Sequence, residues 1–259
     1  MSGDFAIDLP TAANSESFRY GIPTHIHICA TAEGSVVLDL KRDKYFGIGR
    51  EESEILATVV QGWPRPPWES IGERKPASTE AHGLCLSMLE SGLLMRTHGS
   101  VMSSVTAACR TDMKGDWISV GDEIEVNRPV TWRHCADFVA AYLWVRSSLA
   151  WRPFFATVEA VRARKNGRTL GKQPWQISQV AGAIGIFRRL RPLLFAAEGH
   201  CLIHALTLIR FLSNYQFYPE WVIGVTTQPW GAHSWVQWEN YLLDTNPEKV
   251  CAYTPILVV

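Results

Sequence analysis

No stretch of this 259-residue chain stays apolar for anything near the roughly 18 residues that a membrane-spanning helix needs. The first residues, Met1 to Thr11, carry Asp4 and Asp8 and lack a basic start followed by an apolar run, so they do not read as a secretory signal. Cysteine is sparse and scattered: Cys29, Cys85, Cys109, Cys135, Cys201 and Cys251 include no CxxC pair. That spacing argues against a disulfide framework and against a thiolate zinc knuckle. Net charge is absent too, with 25 basic against 25 acidic side chains. There is no internal repeat and no low-complexity tract. What remains is 47% hydrophobic residues, enough for a folded core, at a length that suits one or two domains. The expected compartment is the cytoplasm, with no membrane partner.

The neutral total conceals blocks. Residues 1–130 hold 12 basic and 18 acidic side chains, residues 131–191 hold 11 and 2, and residues 192–259 hold 2 and 5. A central block at +9 is charge enough to attract an acidic peptide or nucleic acid. No nucleic-acid signature accompanies it, so nucleic acid is not expected as a partner. Amphipathic helices with solvated basic faces are the simpler reading.

Local patterning separates three regions. Thr24–Thr31, Ser35–Leu40 and Tyr45–Gly49 read as a three-stranded meander, because Ile26 and Ile28 alternate with His25, His27 and Cys29. A helix follows with Glu51, Glu52 and Glu54 in its first turn, where the helix dipole favours negative charge. Gly62 and the proline-rich Trp63–Pro67 stop it. A second helix runs from about Ser78 to Gly92, and Leu93–Thr97 returns as a strand. Residues 98–130 lack a sustained period and read as a linker. Thr131–Trp151, Phe154–Lys165 and Trp175–Leu190 are helices. Cys201–Leu212 is another, followed by strands at Trp221–Thr227, His233–Glu239 and Tyr241–Asp244. The expected class is α+β: a small N-terminal domain over 1–97, a linker over 98–130 and a helix-then-sheet domain over 131–259.

A thiol attacks a carbonyl as thiolate, so a nucleophilic cysteine needs an imidazole nearby and usually a helix N-terminus. Cys201 opens a helix after Gly199-His200, and His233 begins a strand 32 residues later. Asp244 ends the next strand, across a tight hairpin, where a carboxylate holds an imidazole in its tautomer. Singly, each has an ordinary explanation: a packed cysteine, a satisfied histidine, a turn aspartate. Their order makes them catalytic candidates. His204 lies on the face of Cys201, one turn on, and competes as base. His233 is preferred because Asp244 is placed to orient it.

Other constellations fall short. His25, His27 and Cys29 share a strand face without a fourth metal ligand, so no metal site is expected. Gly167–Gln173 lacks the spacing of a phosphate loop. Trp132, Trp144, Trp151 and Trp175 read as core and helix-packing residues, whereas Trp230 and Trp235 flank His233 and are candidates to line a substrate cleft.

The segments Glu198–Leu202, Trp221–Val225, Pro229–Val236 and Leu243–Asp244 closely resemble the transglutaminase-like leader peptidases of lasso-peptide biosynthesis. The resemblance covers about residues 131–259. It implies that Cys201 is the nucleophile, His233 the general base and acid, and Asp244 the orienting carboxylate. Two departures are His204-Ala205, where the family often has Arg-Ser, and Gln237, where it often has an acid. In the N-terminal part, Gly34–Leu40 followed by Lys44–Ile48 resembles the small winged-helix recognition element of peptide-modifying pathways, akin to the pyrroloquinoline-quinone peptide chaperone. That resemblance implies that a leader peptide adds as a strand beside Tyr45, Phe46, Gly47 and Ile48, in a groove against the helix Ser78–Glu90. Together the two halves look like the fused B protein of lasso-peptide pathways. The implied partners are a precursor peptide and an ATP-dependent, asparagine-synthetase-like cyclase; no cofactor is implied for this chain. The alternatives are an acyltransferase or transglutaminase using the same triad, and a non-catalytic leader-binding adaptor.

Overall fold

The computed structural model describes residues 19–65, 78–97, 117–120, 128–167, 177–195 and 199–259. The meander consists of β2 (Ile26–Thr31), β3 (Gly34–Asp39) and β4 (Lys44–Ile48), antiparallel in the order β2-β3-β4. Its second turn is fixed by Asp39. That buried carboxylate accepts hydrogen bonds from the backbone N–H groups of Lys41 (2.9 Å) and Arg42 (3.2 Å). The cap explains why Leu-Asp-Leu-Lys-Arg-Asp reverses direction there.

All six residues of β3 are buried. Its alternate side chains enter different cores. Val37 joins Ile26, Leu56, Cys85, Met88 and Trp63 beneath α1 (Arg50–Val59) and α2 (Ser78–Glu90). Val36 and Leu38 join the large core of the C-terminal part instead. The sequence pattern suggests a half-buried meander, but its central strand is covered on both faces, while β4 at the edge is half-buried to exposed. A small sheet, β5-β1-β6, was not legible in the sequence: β1 (Arg19–Gly21) falls in a polar opening, and β5 (Val60–Gln61) follows α1 directly with no turn residue to mark it. The expected return strand is β6 (Met95–Thr97).

Most of the expected linker lies outside the described residues. Its β7 (Ile118–Ser119) forms the edge of the main sheet, β11-β8-β9-β10-β7. The helices are α3 (Trp132–Trp151), α4 (Phe154–Asn166), α5 (Ile177–Leu190) and α6 (Cys201–Leu212). Thr131 and His134 form a reciprocal cap at the start of α3. The sheet strands are β8 (Glu220–Thr227), β9 (Trp230–Trp238), β10 (Tyr241–Leu242) and β11 (Thr254–Val258), with the short helix α7 (Pro247–Val250) before β11. The sequence reading missed β11, whose burial against β8 comes from long-range pairing.

One expectation is corrected here. Trp132 and Trp151 are 81% and 85% exposed, so neither is a core residue. They stand at the two ends of α3, while its inward face is carried by Phe138, Ala141, Val145 and Ser148. Trp144 is half-buried with Arg164 over its ring, and Trp175 lies outside the described residues. Among the described residues, no helix is long and apolar enough to cross a membrane.

Candidate active site

Cys201 is the first residue of α6. Gly199, at φ +105°, makes the turn into the helix in a conformation that side-chain-bearing residues rarely adopt. The helical repeat then stacks His204 over Cys201 on the next turn. His233 lies in β9, directly across from Gly224 of β8. That glycine is required by space: a Cβ there would stand 2.7 Å from the Trp235 ring and 2.9 Å from the Cβ of Tyr253. Trp235 and Tyr253 are also the rings that flank His233, with centroids at 6.1 and 5.2 Å.

Cys201, His204, His233 and Asp244 all line one cavity of about 810 Å³, with Arg188 and Trp235 in its wall. A second cavity, of about 690 Å³, is lined by Arg133, Arg164 and Arg210 and holds none of the candidate site residues. Within the first, the contacts of Asp244 differ from the expectation. Its Oδ1 accepts from Arg188 Nε at 3.1 Å and lies 3.7 Å from Arg191 Nη1. Its Oδ2 stands 2.7 Å from His204 Nε2. That last approach is off the axis of a straight hydrogen bond and is a close electrostatic contact. Among the described residues, no hydrogen bond or ion pair joins Asp244 to His233.

The register explains the separation. Glu239, at φ +54°, and Asn240 form a two-residue turn. Tyr241 pairs with Trp238, Leu242 with Gln237, and Leu243 N–H donates to Val236 O at 3.0 Å. Carried on, this register sets Asp244 opposite Trp235, two residues beyond His233. The Nε2 atom of His233 is buried without a hydrogen-bond partner. Burial, then Lys249 and His204, lower the His233 pKa below the usual imidazole range, which favours the neutral, proton-accepting ring.

The candidate peptide-binding residues divide between two surfaces. Tyr45, Gly47, Ile48 and Trp230 line a cleft of about 400 Å³ between the meander and the end of β8. Tyr45 and Trp230 meet edge to face at 5.6 Å. Phe46 points the other way, toward the core under α1 and α2, and Trp235 is buried in the wall of the larger cavity. Burial, followed by Asp43, Cys201 and Cys29, pushes the Tyr45 phenol up to about 12. Trp230 of this cleft precedes His233 of the larger cavity by three residues on β9, so one strand runs from the cleft into the cavity wall. β4 pairs only with β3, so its outer edge carries no strand among the described residues.

Residues 139–258 match the family described as the transglutaminase-like superfamily, so this part of the chain is a transglutaminase-like domain. Cysteine-protease and transglutaminase activities are common in that superfamily. No curated protein and no solved structure matches the chain.

The sequence reading did not foresee the part played by Arg188 and Arg191, which it counted among the solvated basic faces. Their signal was only a basic end to α5, and nothing local ties that end to a turn 56 residues later. Among the described residues, no group of three or more His, Cys, Asp or Glu side chains is arranged to hold a metal ion.

Proposed function

We propose that this chain is a cysteine endopeptidase that binds the leader of a ribosomally made lasso-peptide precursor and removes it. The observation that carries the reading is the adjacency of two features. A cleft beside the edge of β4, unpaired among the described residues, shares strand β9 with a cavity that contains Cys201 at a helix start and His233. A leader held along β4 by main-chain hydrogen bonds would bring its C-terminal end toward Cys201. Recognition is assigned to residues 1–97 and cutting to 131–259. Capture and cutting in one chain raise the local concentration of the scissile bond.

In this reaction an imidazole takes the Cys201 proton, and Sγ bonds to the carbonyl carbon of the last leader residue. The tetrahedral species collapses, the C–N bond breaks, and the imidazolium returns its proton to the departing amine. Water, deprotonated by the same ring, then attacks the thioester and frees the leader acid and the thiol. The new N-terminus passes to an ATP-dependent, asparagine-synthetase-like cyclase. A second reading is acyl transfer to an amine instead of water, which the transglutaminase-like match equally accommodates.

Incubation of the precursor with the full chain, with and without cyclase and ATP, followed by mass spectrometry, tests the proposal. Leader acid plus core peptide supports it, and loss of both in Cys201→Ala locates the chemistry. An amide-linked leader would favour the transferase, and leader binding without any product would favour an adaptor.

A further inference from the structure

The cavity of about 690 Å³ lies at the far end of α6 from Cys201 and takes no part in the proposed cleavage. Arg210, in the last turn of α6, is roughly 14 Å from Cys201 along the helix axis, too far for one small ligand to fill both sites. Three arginines converge here from three helices: Arg133 of α3, Arg164 of α4 and Arg210 of α6. Among the described residues Asp137 is the one acid in the wall, which leaves an excess of two positive charges. Neither Arg133 nor Arg210 forms an ion pair with an acid among the described residues, although Asp137 follows Arg133 by one turn of α3. Arg210 is held instead by hydrogen bonds from Nη1 to Ser213 Oγ at 2.9 Å and to Asn214 Oδ1 at 3.2 Å, while its Nε is buried without an acceptor. The Tyr215 hydroxyl is likewise buried without a partner. Burial, then Asp137, push the Tyr215 pKa up against the opposing pull of Arg133, so the phenol remains a donor. The first turn of α3 adds the positive end of a 20-residue helix dipole. Gln216, also in the wall, stands at φ +62°, a backbone state that residues other than glycine seldom hold and that collects at ligand sites.

We propose that this cavity binds a phosphate-bearing small molecule, its phosphate oxygens taken by the three guanidinium groups and the Tyr215 hydroxyl. A phosphate dianion offers three terminal oxygens and matches the two excess charges, whereas a single carboxylate offers two oxygens and one charge. Guanidinium groups present planar pairs of N–H donors that fit such oxygens. The Nε of Arg210 and the Tyr215 hydroxyl are closed to water in this structure, so binding includes a side-chain rotation that gives them an acceptor. The volume exceeds what one phosphate needs and is typical of small-molecule sites. The rings of His134, Tyr215 and Tyr218 in the wall suit a planar organic group attached to the phosphate.

The test needs no precursor peptide, so failure of leader cleavage leaves it intact. Pyrophosphate is titrated into the full-length protein by isothermal calorimetry at fixed ionic strength, with adenosine diphosphate and citrate as comparisons. One equivalent of pyrophosphate should bind, and Arg133→Glu and Tyr215→Phe should each weaken it roughly ten-fold. Arg133 is exposed, so its replacement should leave the fold intact. Arg191→Gln, in the cavity of Cys201, should leave the affinity unchanged. In the unsubstituted protein, which depends on no variant folding, pyrophosphate should shift the nuclear magnetic resonance signals of the Tyr215 ring and spare those of His233. Adenosine diphosphate bound more tightly than pyrophosphate would support the aromatic wall as part of the site, and equal affinity would confine recognition to the phosphates. No saturable binding at millimolar pyrophosphate, tighter binding of citrate, an affinity unaltered by Arg133→Glu, or one lost in Arg191→Gln would overturn the assignment.

Discussion

Burial lowers the pKa of both His27 and His233, and for His27 the effect is large enough to be read in stability. Desolvation, then Arg162 and His25, hold its pKa down to about 4. The unfolded chain binds this proton near pH 6.5, so the folded state loses stability as pH falls from 6.5 toward 4. The linked loss is about 3 kcal/mol by pH 4. Denaturant midpoints across that range should drop in the natural protein and flatten in His27→Gln. Trp230 is a contrasting case. It is 55% exposed, so Trp230→Ala should change stability by less than about 1 kcal/mol. If Trp230 lines the leader's path, leader affinity measured by calorimetry should nevertheless fall about ten-fold. The residue types at the site were legible in the sequence, because cysteine at a helix start and histidine in a strand have local signatures. The partner of Asp244 was not, because a two-residue turn sets its register and Arg188 reaches it from a distant helix.

Strand and helix identities followed from local pattern wherever one face alone met a core. The meander, α2, α3 and α6 were legible in this way. Ser35–Leu40 was legible as a strand although β3 is buried on both faces, whereas β1 and β11, which rest on distant pairing, were not. Two predictions belong to these elements. Gly224→Val places side-chain atoms against Trp235 and Tyr253, whose rings flank His233. The variant should lose about 1–3 kcal/mol of stability and most of its activity, read by thermal melting and peptide cleavage. If the leader adds to β4 as a strand, a proline scan of the leader should weaken binding at alternate positions only, because every second N–H faces the strand it joins. A uniform loss, or none, would point to another binding mode.

At the scale of the molecule, the meander and the transglutaminase-like domain share a core. Cys29, Val36, Leu38 and Leu40 lie in the same buried cluster as Phe138, Phe187, Leu206 and Trp221. The backbone N–H of Phe155 at the start of α4 donates to Leu40 O at 3.1 Å, just after β3. Composition could not show this, because β3 reads as a short apolar strand whichever core it enters. The shared core predicts one cooperative unfolding transition. Tryptophan fluorescence, dominated by the C-terminal part, should coincide with the amide signal of the meander followed by nuclear magnetic resonance. The same arrangement would present a leader on β4 to the cavity of its own chain. A synthetic leader ending in a thiol-reactive electrophile in place of the scissile carbonyl tests that claim most directly. One equivalent of label is expected, mapped by mass spectrometry to Cys201 and abolished by competing leader. Label on the exposed Cys251, or Cys201 labelled equally by a scrambled peptide, would contradict it.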